Sequence, residues 1–179
     1  MRAGDGVSEG VVTAPDGSPD GGPGPSVSGG QAAIGAAGVT GARAMFAADT
    51  ASRAAGIELL SEGRGRAEVA MTVRPDMVNG HGIAHGGYVF LLADTAFACA
   101  CNEEGSVTVA AGADITFLAP ARTGDRLTAV AAMRSRRGRS GVYDVTVTRA
   151  GPDHDEVIAE FRGRSRSLPA PDPHAGTAG

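Results

Sequence analysis

Residues 79–102 read Asn-Gly-His-Gly-Ile-Ala-His-Gly-Gly-Tyr-Val-Phe-Leu-Leu-Ala-Asp-Thr-Ala-Phe-Ala-Cys-Ala-Cys-Asn, and the fold turns on this stretch. It opens as a turn rich in Gly, His and Asn. From Tyr88 to Cys101 it becomes a helix that is apolar on every side and carries one formal charge, at Asp94. A helix apolar all round belongs in a core. Burying a carboxylate is costly unless it is paired or hydrogen-bonded. An isolated acid in such a helix therefore points to catalysis; the plainer alternative is a structural carboxylate, paired to an arginine or capping a nearby turn.

The flanking sequence supplies the frame. Thr40 can cap a helix of about 41–55 that Gly56 closes. Ile57–Ser61 and Arg66–Val73 flank the turn 62–65 as a hairpin, and Pro75 stops its second strand. A loop over 74–85 leads to the central helix, expected at about 87–103. Beyond Gly105 the pattern becomes extended: Val107–Leu118, a strand across 125–136 with Leu127, Ala129, Ala131 and Met133 alternating, Val142–Thr148, and a last strand through Val157, Ala159 and Phe161. No second long helix interrupts these strands, so the sheet is expected to be antiparallel. The reading is an α+β fold, a sheet of about five to six strands curved around one long helix.

Composition bounds the remainder. The chain has 179 residues with 42% hydrophobic content, enough for one core, and only 4% aromatics, so Ala, Val, Leu and Ile must build it. Residues 1–38 hold 11 Gly, 4 Pro and 4 Ser, too little apolar surface to offset the entropy of ordering. They read as a disordered extension, as do 170–179, leaving a domain at 39–169. A net charge of −4 gives no argument for nucleic-acid binding. All 16 basic residues are Arg, a bias that reflects codon usage rather than function. Cys99 and Cys101 fall on nearly opposite sides of a helix, so they share neither a metal nor a disulfide and read as core residues of an intracellular chain. No secretory signal or membrane-length apolar run is present. A soluble, cytoplasmic protein is expected.

The central helix has a telling geometry. Gly86 stands at its N-terminal edge, and Asp94 follows roughly 12 Å farther along the axis at 1.5 Å per residue. Free N–H groups and the positive end of the helix dipole suit an anion at Gly86. A carboxylate suits a nucleophile or general base. Hydrolysis of an acyl compound needs both, yet the two are too far apart to meet one carbonyl carbon. Two copies of the helix, antiparallel across a two-fold axis, would bring Asp94 of one subunit to Gly86 of the other.

These residues also carry a family resemblance. His85-Gly86-Gly87, Leu92 through Ala98 and Ala100-Cys101-Asn102 resemble the signature of the hotdog-fold acyl-CoA thioesterases, most closely the phenylacetate-degradation type known as PaaI. The likeness extends to Asn79-Gly80-His81, to Asp114-Ile115-Thr116-Phe117-Leu118 with Pro120, and to Gly141-Val142-Tyr143-Asp144. It implies a sheet around the helix, dimers joined through their sheets and usually tetramers. It also implies hydrolysis of aryl- or hydroxyphenylacetyl-CoA to free acid and CoA, without metal or other cofactor. By position, Asp94 takes the catalytic carboxylate and Gly86 the backbone N–H that polarises the carbonyl. Asn79 and His85 match the residues that orient water or the carbonyl. Two rivals share the fold: a medium-chain acyl-CoA thioesterase and a non-catalytic acyl-CoA-binding module.

Other side chains carry weaker signals. Arg137 and Arg139, in the arginine-rich turn 134–141, suit the phosphates of CoA. Tyr88, just inside the helix start, is placed to line the acyl pocket. His81 and His85 have the spacing of a helical metal pair, but the glycines around them oppose a helix there and no third ligand stands out. No metal is expected.

Overall fold

The computed structural model describes residues 41–103 and 105–169. The expected extension and tail, and the cap expected at Thr40, lie outside the described residues. Six strands form one antiparallel sheet: β1 Glu58–Gly63, β2 Arg66–Thr72, β3 Thr108–Phe117, β4 Arg126–Arg137, β5 Ser140–Arg149 and β6 Glu156–Ser167. Their spatial order is β1-β2-β4-β5-β6-β3, with β1 and β3 at the two edges. Helices α1 Ala42–Ala48 and α2 Thr50–Ala54 precede the sheet, and α3 Gly86–Cys101 comes between β2 and β3.

Helix α3 packs against all six strands, so the sheet is wrapped around it as expected. Period-two alternation does the wrapping. Leu127, Ala129 and Ala131 of β4, with Tyr143, Val145 and Val147 of β5, are buried toward α3, while the residues between them stay partly open. Register shifts at Leu59/Ser61, Ala110/Gly112, Met133/Ser135 and Val147/Thr148 insert bulges that bend the sheet. On the helix, Val89, Leu92, Ala96, Phe97 and Ala100 fill the concavity. Each large apolar side chain so buried contributes about 1.5–3 kcal/mol. Asn102 closes α3: its Nδ2 donates to the carbonyls of Ala98 (3.0 Å) and Thr108 (2.9 Å), and its Oδ1 accepts from the Thr108 N–H at 2.9 Å.

Two elements depart from the sequence reading. The helix expected at 41–55 is broken at Asp49, whose backbone is extended (φ −77, ψ 101) and whose carboxylate accepts from the Ser52 N–H at 3.0 Å. The side chain thus competes with helical hydrogen bonding and starts a new helix instead. Strand β6 runs on to Ser167, beyond the last apolar alternation at Phe161. There Gly163, Ser165 and Ser167 are the buried positions and Arg162, Arg164 and Arg166 the exposed ones.

Gly163 shows why small residues stand on that inner face. A Cβ built on it would come within 2.7 Å of Cγ and Cδ2 of Phe97, whose ring centroid lies 5.4 Å from that of Tyr143 and 5.9 Å from that of Phe161. Gly163→Ala is therefore expected to cost about 1–3 kcal/mol by overpacking, read as a lower midpoint in urea at unchanged slope.

Candidate active site

A tight loop delivers the start of α3. Val78 and Ala84 form a β-bridge, the Asn79 N–H donates to the Ile83 carbonyl, and the His85 N–H to that of Met77, each at 2.8 Å. Gly82 bends the loop in the left-handed region (φ 71) that favours glycine. The Asn79 Oδ1 accepts from the His81 N–H at 2.9 Å, which leaves the Asn79 amide group free to donate. His85 is the N-cap of α3, its Nδ1 accepting from the Gly87 N–H at 3.0 Å. An accepting Nδ1 places the proton of the neutral ring on Nε2. Gly86 is then the first helical residue, and its N–H has no acceptor among the described residues. That donor stands at the positive end of a helix of 16 residues.

Asp94 lies two turns farther on. Its carboxylate forms no hydrogen bond or ion pair among the described residues. Gly87, Phe90, Asp94 and Ala98, spaced three or four apart, form the stripe of α3 that the sheet leaves partly open. Burial, and then the negative charge of Asp49, push the Asp94 carboxyl above its ordinary value. Asp49 is held beside α3 through Ser52, whose Oγ lies 2.9 Å from Oγ1 of Thr95. Burial also pushes the thiols of Cys99 and Cys101 up to about 12, so neither is a thiolate nucleophile near neutral pH.

The structure gathers Asn79, His85 and Gly86 at one end of α3 and leaves other expected residues apart. Arg137 and Arg139 are exposed beside the tip of the β4–β5 hairpin. Arg136 next to them donates to Glu103 Oε2 at 3.0 Å, which fixes that tip at the C-terminal end of α3, opposite Gly86. Tyr88 is half-buried against the core cluster. A cavity of about 750 Å³, lined by Arg43, Glu62, Arg64, Asn102 and Glu103 among others, also lies at that far end and includes neither Asp94 nor Gly86. No three His, Cys, Asp or Glu side chains converge as a metal site among the described residues. Sequence reasoning passed over Phe90 and Phe117, large apolar residues that are 36% and 52% exposed. For Phe117 the signal is its phase in β3: it shares the inner face with Ile115 yet stands at the strand's open end.

Comparison with known proteins gives this geometry a context. A family model described as the thioesterase superfamily matches residues 81–154, from the loop before α3 to the turn after β5. The acyl-coenzyme A thioesterase PaaI of Escherichia coli is 43% identical over 127 residues, 71% of this chain and 89% of that protein. The chain belongs to the thioesterase superfamily. The solved structure of Escherichia coli PaaI, a protein of the phenylacetic acid degradation operon, matches with a TM-score of 0.68 over 72% of this chain and 91% of that one, at 43% identity. A mutant of the phenylacetic acid degradation protein PaaI from Thermus thermophilus matches with a TM-score of 0.63 at 35% identity, over 67% of this chain and all 100% of the other. Among the described residues no helix of this thioesterase is long and apolar enough to cross a membrane.

Proposed function

We propose that this thioesterase hydrolyses aryl- or hydroxyphenylacetyl-CoA at sites shared between two subunits. The observation that carries the reading is the pairing of a lone, half-buried Asp94 on the open stripe of α3 with a free N–H at Gly86. The names of the relatives support the acyl-CoA class, and their association with phenylacetic acid degradation supports the aryl group.

Assembly follows from the sheet edge. Strand β3 spans 10 residues and its outer side pairs with no strand among the described residues. Such an edge is a ready template for a second strand. A second copy added there by two-fold symmetry continues the sheet and lays the two α3 helices side by side, antiparallel. Asp94 of each subunit then faces Gly86 of the other.

The reaction uses each group at a defined moment. The thioester carbonyl accepts from the Gly86 N–H, backed by the helix dipole, so negative charge developing on its oxygen is stabilised. The carboxylate delivers an oxygen to the carbonyl carbon, its own or that of a water from which it takes the proton. The C–S bond breaks and the CoA thiolate leaves, taking up a proton to become the thiol. Attack by water gives the free acid directly, whereas attack by the carboxylate gives an anhydride that a water then splits into the free acid and Asp94. Asn79 and His85 orient water or the carbonyl, and Tyr88 lines the acyl pocket. The antiparallel arrangement brings the hairpin tip of one subunit toward the α3 start of the other, where Arg137 and Arg139 meet CoA phosphates.

Free-CoA release from a panel of thioesters tests the reading. The expected result is a higher kcat/KM for hydroxyphenylacetyl-CoA than for decanoyl-CoA, and a KM raised severalfold for both esters in the Arg137→Ser, Arg139→Ser double variant. A large excess of the decanoyl rate would remove the aryl assignment.

A further inference from the structure

Phe117 stands out once the α3 start is seen as a reaction site. It is the last residue of β3 and pairs with Ala159, a fully buried residue, so it occupies the inner, helix-facing side of the sheet. An inward aromatic is normally covered, yet in the single chain Phe117 is 52% exposed. The outer edge of the ring rests against Gly86: a Cβ on that glycine would come within 2.9 Å of Cζ and within 3.4 and 3.5 Å of Cε2 and Cε1. Because Gly86 has no side chain, the ring edge reaches the helix backbone.

We infer that Phe117 is a specificity-determining residue, its ring forming the wall on which the aryl group of the acyl chain rests. This assignment depends on the function proposed above. A carbonyl oxygen accepting from the Gly86 N–H sits about 2.9 Å from that nitrogen, and the ring edge packs on the same residue. The acyl carbon next to the carbonyl, and the group it bears, therefore lie within van der Waals reach of the ring. Phe117 offers no proton and no charge, so it takes no part in bond making. What it offers is a flat apolar surface with a partly negative face, which favours an aromatic partner in offset or edge-on contact over an alkyl chain. Aromatic contact beyond simple burial amounts to a preference of about threefold to tenfold.

The test compares phenylacetyl-CoA with hexanoyl-CoA, measured by free-CoA release in wild type, Phe117→Leu and Phe117→Ala. Leucine keeps apolar bulk over Gly86 and removes only the aromatic face. The expected result for Phe117→Leu is an aryl-to-alkyl ratio of kcat/KM lowered by about threefold to tenfold, with the hexanoyl-CoA kcat within about twofold of wild type. Phe117→Ala should lower the ratio at least as far. Equal losses on both esters would mark Phe117 as a mere cover of the helix start and overturn the assignment, as would an unchanged ratio in both variants. Wild-type enzyme inactive on both esters would instead defeat the proposed function itself, and this assignment with it.

Discussion

Asp94→Asn is expected to lower kcat by about 10²–10⁴-fold while the variant still binds an acyl-CoA ester. The amide matches the carboxylate in size and cannot act as nucleophile or base. Two pH signatures accompany the loss. Burial and the Asp49 charge hold the Asp94 carboxyl above its ordinary value, so the acid limb of wild-type kcat/KM lies above about 3.9, the usual aspartate value. Stability has the opposite sense. With a folded pKa above the unfolded one, the stability this group contributes is complete below the unfolded value and is lost as pH rises through the folded value. Wild type therefore carries the deficit at pH 7 and Asp94→Asn does not. The variant should melt at higher temperature than wild type at pH 7 and at the same temperature near pH 3. An inactive variant that melted lower at pH 7 would mean the carboxylate holds the fold together.

Gly86→Pro is expected to lower kcat by about 10²–10³-fold, the effect of removing one oxyanion donor. The substitution deletes the N–H and adds ring atoms on the side of Phe117. Proline suits the first position of a helix, and the residue before it must be extended, as His85 already is at φ −63, ψ 130. The new ring atoms meet Phe117, whose ring is the far end of a side chain at an open strand terminus and can turn aside. Gly86→Ala separates the two effects, since it adds the same Cβ and keeps the donor. With hexanoyl-CoA, which does not rest on the aromatic face of Phe117, it should retain most of the wild-type kcat. Equal losses in the alanine and proline variants would assign Gly86 a packing role against Phe117 and none toward the carbonyl.

The legible and illegible parts of this molecule differ for physical reasons. The fold was readable because nothing helical interrupts the alternation after Gly105, and Asp94 drew attention as the one charge in an otherwise apolar helix. The second half of β6 was not readable: Arg-Gly-Arg-Ser-Arg-Ser has the composition of a loop, and only the Phe97 ring above Gly163 explains why small residues must face inward. The break at Asp49 escaped because a side chain taking over a backbone hydrogen bond leaves helical periodicity intact. Asn79, His85 and Gly86 come together because they are adjacent along one loop. Arg137 and Arg139 could not be placed from sequence, since their distance from the site depends on which end of α3 the hairpin reaches. Phe117 reads as an ordinary strand residue until the glycine below it is seen to leave the space its ring fills.

The most direct measurement uses the two inactive variants together. Asp94→Asn and Gly86→Pro subunits, each carrying a different affinity tag, are co-expressed and the mixed dimer is isolated through both tags. One of its two sites combines an intact carboxylate from the Gly86→Pro subunit with an intact N–H from the Asp94→Asn subunit; the other site has neither. With the site shared across the two-fold axis, the mixed dimer should recover about half of the wild-type kcat per dimer. A mixed dimer as inactive as its two parents would place both groups within one subunit and contradict the shared site.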